Sequence, residues 1–311
     1  MKTADAKLKK KKTNWREWIP FYIMAIPGLA YLFINNYMPM PGLWMAFTKV
    51  NFRKGIFGGD FVGLDNFEFL FTTNDAFIIF RNTIGYNLIF LLLGPILAIA
   101  TAIFLNNVRQ NTMKKTYQTI ILLPHLISMV VVSYLVYALL NTDVGLVNKV
   151  IESFGGEGVK WYSSPQYWPF ILVIVNQWKG VGFSSIVYLS SIVGIANDYY
   201  EAAELDGCSK WQQIRYITLP LLKPTVITMT ILGLGGIFRS DFGLFYQVPL
   251  NQGPLISVTQ TLDTYVLRGL MSLGNLGMSA AAGFFQSVVG FGTIMLANAV
   301  VKKISAENAL Y

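Results

Sequence analysis

Glu201-Ala202-Ala203, followed by Asp206-Gly207, is the stretch of this chain whose side chains are best suited to engage another molecule. Two adjacent alanines let a partner's backbone come close, and the Glu201 carboxylate can accept paired hydrogen bonds from an arginine. The stretch sits on a polar island between two long apolar segments and carries its own start and stop signals. Asp198 with Glu201 three residues on spells a capping box, which predicts a helix start. Gly207 tolerates positive φ and predicts that helix's end. Ser209 with Gln212 repeats the cap pattern, so a second helix is expected, stopped near Leu219 by Pro220. A second set of polar groups lies inside apolar segments: Asn176-Gln177-Trp178-Lys179-Gly180, and Arg239 with Asp241 just beyond Gly233, Gly235 and Gly236. A charge at mid-membrane costs roughly 2.5–3.5 kcal/mol on insertion scales, so such groups are expected to face a watery path or a partner. The alternative is structural, with Arg239 paired to Asp241 and the two amides bonding neighbouring helices.

Other chemistry is missing from the sequence. No G-x-x-x-x-G-K-[ST] phosphate loop is present, and Gly155-Gly156-Glu157-Gly158-Val159-Lys160 has the wrong spacing, so the chain is not expected to hydrolyse ATP alone. His125 is the single histidine and cannot build a metal site or a relay by itself, which leaves packing or hydrogen bonding as its expected role. Cys208, the single cysteine, cannot form an internal disulfide and reads as a small packing residue. No cluster of acidic residues or histidines supports a membrane-embedded enzyme.

The elements that must position these groups follow from hydropathy. The chain has 311 residues, 54% hydrophobic and 13% charged, against roughly 25% charged in soluble domains. One all-helical membrane domain is expected. Apolar segments run over Pro20–Asn35, resuming at Leu43–Phe47, then roughly over residues 84–105, 117–140, 168–195, 225–245 and 277–301. Each is near or above the ~20 residues that cross ~30 Å of hydrocarbon. That predicts six spans, the first read as uncleaved because no small-residue cleavage site follows it. Seven of the 24 Lys and Arg precede residue 19, and eight more fall between spans two and three, between four and five, and after six. The positive-inside rule then puts both termini and the island in the cytoplasm. The net charge of +8 is dispersed at segment ends, which fits membrane orientation rather than nucleic acid. Residues 1–18 form a basic N-terminus, 19–303 the membrane domain with its elbow at 196–223, and 304–311 a tail. Gly58-Gly59, Gly155-Gly156 and Gln252-Gly253-Pro254 read as turns in the outer loops, and Trp15, Trp18, Trp161 and Trp168 as interfacial anchors.

The spelling Glu201-Ala202-Ala203, three residues, Gly207, nine residues, Ile217-x-Leu219-Pro220 resembles the cytoplasmic signature of membrane subunits of ATP-binding-cassette importers, with every position of the pattern filled. Nearly everything from Trp18 to Lys303 is similar to the maltose-type, carbohydrate-uptake branch of those permeases. The resemblance implies a type I importer permease in a bacterial inner membrane, with the elbow as a coupling helix that docks on an ATPase. It implies two ATPase subunits using ATP and Mg²⁺, a second, similar permease subunit and an extracytoplasmic solute-binding protein. No cofactor is expected on this chain itself. The sugar path implied by the family falls on Asn176, Gly180 and Phe183, then on Gly235, Gly236 and Arg239, with Gln177, Phe238, Phe242 and Asp241 beside them. Arg239 departs from the neutral amide expected in maltose transport. Arg239-Ser240-Asp241-Phe242-Gly243-Leu244-Phe245-Tyr246 with Leu262-Asp263-Thr264-Tyr265-Val266-Leu267-Arg268 resembles a subgroup associated with complex oligosaccharides or polysaccharide fragments. The rival is a secondary transporter or channel working without ATP, which accounts for Lys179, Arg239 and Asp241 but leaves the elbow unexplained.

Overall fold

The computed structural model describes residues 15–304, apart from 52, 54 and 74, together with residue 307. Most of the expected basic N-terminus and nearly all of the tail therefore lie outside the described residues. Helix α1 (Trp15–Leu32) continues through a π turn (Phe33–Tyr37) and a 3-10 turn (Met40–Phe47) into an antiparallel hairpin of β1 (Thr48–Asn51) and β2 (Gly55–Phe61). Then follow α2 (Phe69–Thr72), α3 (Asp75–Asn107), α4 (Asn111–Leu126), α5 (Met129–Leu140), α6 (Leu146–Ser153) and α7 (Trp168–Val193). The elbow is α8 (Asp198–Leu205) and α9 (Lys210–Gln213), a π turn (Ile214–Thr218) leads into α10 (Leu219–Leu234), and α11 (Ile256–Thr259), α12 (Leu262–Leu273) and α13 (Leu276–Ile304) complete the chain.

Five helical runs among the described residues are long and apolar enough to cross a membrane, and the α4–α5 pair, bent by 95°, makes a sixth if it counts as one span. Leu92 and Ile96 on α3 and Leu296 on α13 are more than 60% exposed, as befits helices surrounded by lipid rather than water. In that medium helices gain little from the hydrophobic effect and associate through close packing at small residues. Ala98, Ala102 and Leu105 of α3, at i, i+4 and i+7, meet Tyr188, Leu189 and Ile192 of α7 and Leu222 of α10 at the elbow end. At the other end Trp168, Leu172 and Val175 of α7 pack with Val132, Val136 and Leu140 of α5 and with Leu244 and Phe245. At Gly182 α7 comes close to α4, since a β-carbon there would stand 2.0 Å from the Ile121 carbonyl oxygen of α4. α1 stands apart: none of the hydrophobic window in Trp18–Phe47 is buried, and its anchorage comes from the Met40–Phe47 turn against α13.

Several sequence expectations need correction. Pro220 does not stop the second elbow helix. The π turn before it hands the Leu219 N–H back to Ile214 O, and this wider turn carries the proline inside a run from Lys210 to Leu234. The fifth span accordingly begins before residue 225 and breaks at Gly235 instead of reaching 245. The third span is two helices, because Ser128 Oγ accepts the Val131 N–H and starts α5 in a new direction. Asp198 is the first helical residue and not the cap, a place taken by Asn197. Gly58-Gly59 lies within β2, and Gly55, at φ +80°, makes the turn. Trp168 is no interfacial anchor: it is fully buried and donates its indole N–H to Trp161 O at 2.8 Å.

Candidate functional site

The elbow is a braced unit. α8 ends in a Schellman turn, with the Cys208 N–H on Ala203 O (2.9 Å), the Gly207 N–H on Glu204 O (3.1 Å), and Gly207 at φ +77°. Directly after it, Ser209 Oγ accepts the Gln212 N–H (3.3 Å) and Gln212 Oε1 accepts the Ser209 N–H (2.7 Å), the predicted second capping box. Lys210 forms an ion pair with Glu204, and the Tyr200 and Thr218 hydroxyls lie 2.9 Å apart. Hydrogen bonding from Lys210 holds the Glu204 carboxyl below its usual range. These bonds tie α8 through α9 to the foot of α10. The outward surface holds Glu201, Ala202, Asp206 and Gly207, all exposed, with Ala203 half-buried. Glu201 Oε1 accepts from Asn197 Nδ2 at 2.6 Å, so its second oxygen remains for a partner. Leu205 at the tip is 90% exposed.

The second centre is the break in the fifth span. After Gly235 the chain runs through a non-helical stretch, with Arg239 and Ser240 in it, before a π turn at Gly243–Gln247. Such backbone persists at membrane depth only when its polar groups find partners. Three side chains from elsewhere supply them. Asn87 Nδ2 of α3 donates to Ile237 O (2.9 Å) and Arg239 O (2.7 Å), and Gln286 Nε2 of α13 donates to Phe238 O (2.9 Å). Asp263 at the start of α12 accepts the Ser240 N–H (2.6 Å) and the Ser240 hydroxyl (2.8 Å) on Oδ2, and Gln286 Nε2 (3.1 Å) on Oδ1. Asp241 Oδ1 accepts the Leu244 N–H (3.1 Å), and the alternative pairing with Arg239 is not made among the described residues. The Arg239 side chain is exposed and has no hydrogen-bond or ion-pair partner among the described residues.

Asn176, Gly180 and Phe183 recur at i, i+4 and i+7 and share one face of α7. A β-carbon on Gly180 would meet nothing within 4 Å, Phe183 is 53% exposed, and Asn176 has no partner among the described residues. Just beyond the break, Leu244 and Phe245 share a core cluster with Val175, the residue before Asn176 on α7. Gln177 does not belong to the face: it is buried, with its Oε1 toward Gly94 of α3. Phe238 meets Phe285 edge-on at 6.0 Å and Phe242 stacks on Tyr246 at 4.8 Å, so both rings are partly engaged. His125 stacks on Phe183 at 4.8 Å, in keeping with a packing role. Lys179 is structural: its Nζ donates to the carbonyls of Pro124 (3.2 Å), His125 (3.1 Å) and Ile127, at the bend between α4 and α5. Asn87 and Gln286 escaped the sequence reading, and Asp263 entered it only within a quoted stretch, with no role of its own. The available signal was the lone amides Asn87 and Gln286 inside otherwise apolar spans.

Comparison with known proteins identifies the fold and the family. The chain is 34% identical over 323 aligned residues to the polygalacturonan/rhamnogalacturonan transport system permease protein YteP of Bacillus subtilis (strain 168), with 99% of each covered. A crystal structure of a bacterial ABC transporter involved in the import of the acidic polysaccharide alginate superposes with a TM-score of 0.83 at 31% identity, covering 94% of this chain and 99% of that one. A second, of the alginate transporter in complex with an alginate pentasaccharide-bound periplasmic protein, gives 0.82 at 32% identity, covering 94% and 96%. The architecture is that of a type I importer permease. Residues 91–305, well over half the chain, match the family model, and the protein belongs to the binding-protein-dependent transport system inner membrane components.

Proposed function

We propose that this permease forms the translocation path for an oligosaccharide in an ATP-driven importer, and that the Glu201–Gly207 elbow couples it to two separate ATPase subunits. A second permease subunit and an extracytoplasmic solute-binding protein complete the assembly, and ATP hydrolysis resides in the partners. The observation that carries this reading is the elbow: an exposed acidic and apolar tip, braced by Lys210–Glu204 and Tyr200–Thr218 to the foot of a span. The distribution of lysine and arginine supports a cytoplasmic elbow and cytoplasmic termini. Closure of the ATPases would rock the two permease bundles as rigid bodies and open the path inward.

The test is co-purification with the candidate ATPases and uptake in vesicles for Glu201→Ala and Gly207→Pro. Proline cannot adopt φ +77°, so the second variant breaks the Schellman turn. Both are expected to lose ATPase association or uptake at least tenfold while still inserting. Undiminished assembly and transport in both would end the docking reading.

An acidic oligosaccharide is the proposed substrate. It is supported by Arg239, exposed and without a hydrogen-bond or ion-pair partner among the described residues, and by the acidic polysaccharide carried by the structurally similar transporter. Arg239→Asn is expected to cut uptake of an acidic oligosaccharide about ten- to hundredfold, the worth of one charge-assisted contact of ~1.5–3 kcal/mol. Uptake of a neutral one should change little. Unchanged acidic uptake would overturn this assignment.

A further inference from the structure

Beneath the elbow a cavity of about 400 Å³ opens between the ends of α3 and α7 and the helices α8 and α9, within the roughly 300–1,000 Å³ of small-ligand pockets. Its polar lining is unbalanced. Lys114, Lys210 and the amides of Asn106, Asn107 and Gln213 face one carboxylate, Glu204, and that carboxylate is already paired with Lys210. Gln213 is only 4% exposed, and its Nε2 has no hydrogen-bond partner although its Oε1 accepts from Lys210 at 3.3 Å. A buried N–H donor without an acceptor costs ~1–3 kcal/mol, so the site is incomplete as it stands. Lys114 likewise has no ion-pair or hydrogen-bond partner among the described residues.

Helix ends do not account for the two lysines. α3, α7 and α8 each end at this cavity, but α4, α8 and α9 each begin there, so the end charges of the helices offset one another and side chains decide the sign. Neither lysine donates to a carbonyl of those ends; Lys210 bonds Glu204 and Gln213. What remains is a positive, donor-rich recess with a buried N–H in its wall.

We infer that this cavity binds a phosphate-type oxyanion, bridging Lys114 on α4 to Lys210 and Gln213 on α9. Two sources share that chemistry: a phospholipid head group at the membrane boundary, and free phosphate. Either way the ligand fastens the elbow to the bundle and stiffens the lever, so occupancy tunes how much of a push on α8 reaches α10. The inference stands on the cavity and is independent of the docking reading above.

The test uses the full chain without any ATPase. In one arm, thermal unfolding in neutral detergent is followed against inorganic phosphate, with chloride at matched ionic strength as control. In the other, the chain sits in bilayers of phosphatidylglycerol or of phosphatidylcholine in phosphate-free buffer. A saturable rise in melting temperature with phosphate assigns free oxyanion binding. A rise confined to phosphatidylglycerol assigns the head group. In either case Gln213→Leu and Lys114→Gln should weaken the response at least tenfold, and Lys114→Arg should keep it. Stabilisation no greater than that of chloride and phosphatidylcholine overturns the site, as does an unaltered response in Gln213→Leu and Lys114→Gln.

Discussion

Replacing Asp263 by asparagine is expected to cost uptake about a hundredfold while the chain still inserts and folds. The carboxylate accepts on both oxygens: Ser240 N–H and hydroxyl on one, Gln286 Nε2 on the other. Asparagine keeps the shape but presents an NH₂ group on one side, so a donor meets a donor whichever way it turns. With the NH₂ turned to Gln286, one charge-assisted bond of ~1.5–3 kcal/mol is lost and the two from Ser240 fall to neutral strength. Together that is about 3 kcal/mol, or roughly two orders of magnitude in the population of the held geometry. The damage falls on the break because Gln286 also holds Phe238 O, and Asp263 itself fixes Ser240 next to Arg239. Ser240→Ala removes the hydroxyl's bond to Asp263 Oδ2 and its contact with Thr261 Oγ1 but leaves the Ser240 N–H on the carboxylate, so it should cost about tenfold, the low end of the ~1.5–3 kcal/mol of a bond to a charged group. Uptake in vesicles, normalised to inserted protein, is the measurement. Uptake by Asp263→Asn equal to the parent would show that the break needs no such clamp.

Lys179→Met should destabilise the bundle by about 2–6 kcal/mol, on the reasoning that two carbonyls lose their charged partner at ~1–3 kcal/mol each. Those of His125 and Ile127 are the two, because Pro124 O keeps the Ile127 N–H at 3.3 Å. An opposing effect must be weighed. Removing a lysine from mid-span relieves an insertion cost of roughly 2.5–3.5 kcal/mol. That relief acts on inserted and folded states alike, whereas the orphaned carbonyls arise only in the folded bend, so the loss prevails once the chain is in the bilayer. A lower melting temperature for Lys179→Met, with retention in Lys179→Arg, is the expected pattern. Equal melting of the methionine variant and the parent would mean that the 95° bend is held by packing alone.

Which parts of this architecture could be read in advance depends on where the controlling interaction lies. Spans two, four and six are legible because lipid demands about twenty apolar residues whatever they pack against. Gly207 and the Ser209–Gln212 box are legible because caps are local, with every partner within a few residues. The break at Gly235 was hidden because its carbonyls are held by Asn87 and Gln286, about 150 and 50 residues away in sequence. Gly233, Gly235 and Gly236 marked the place, yet the apolar run continues through Phe245, and hydropathy alone cannot end a helix whose stop is tertiary. Pro220 misled for a related reason, since a proline rule written for α-turns does not cover the wider π turn at Ile214–Thr218. At the path, a shared helix face was readable for Asn176, Gly180 and Phe183. That Gln177, one residue on, turns toward Gly94 required knowing which side α3 occupies.

With no neighbour burying its apolar window, α1 takes its angle from the bilayer and from its single anchorage at Met40–Phe47. A mismatch of a few ångströms tilts such a rod at fractions of a kcal/mol per ångström. Whatever covers α1, lipid or the second permease subunit proposed above, therefore sets the attitude of this one segment, while the packed helices keep their own geometry.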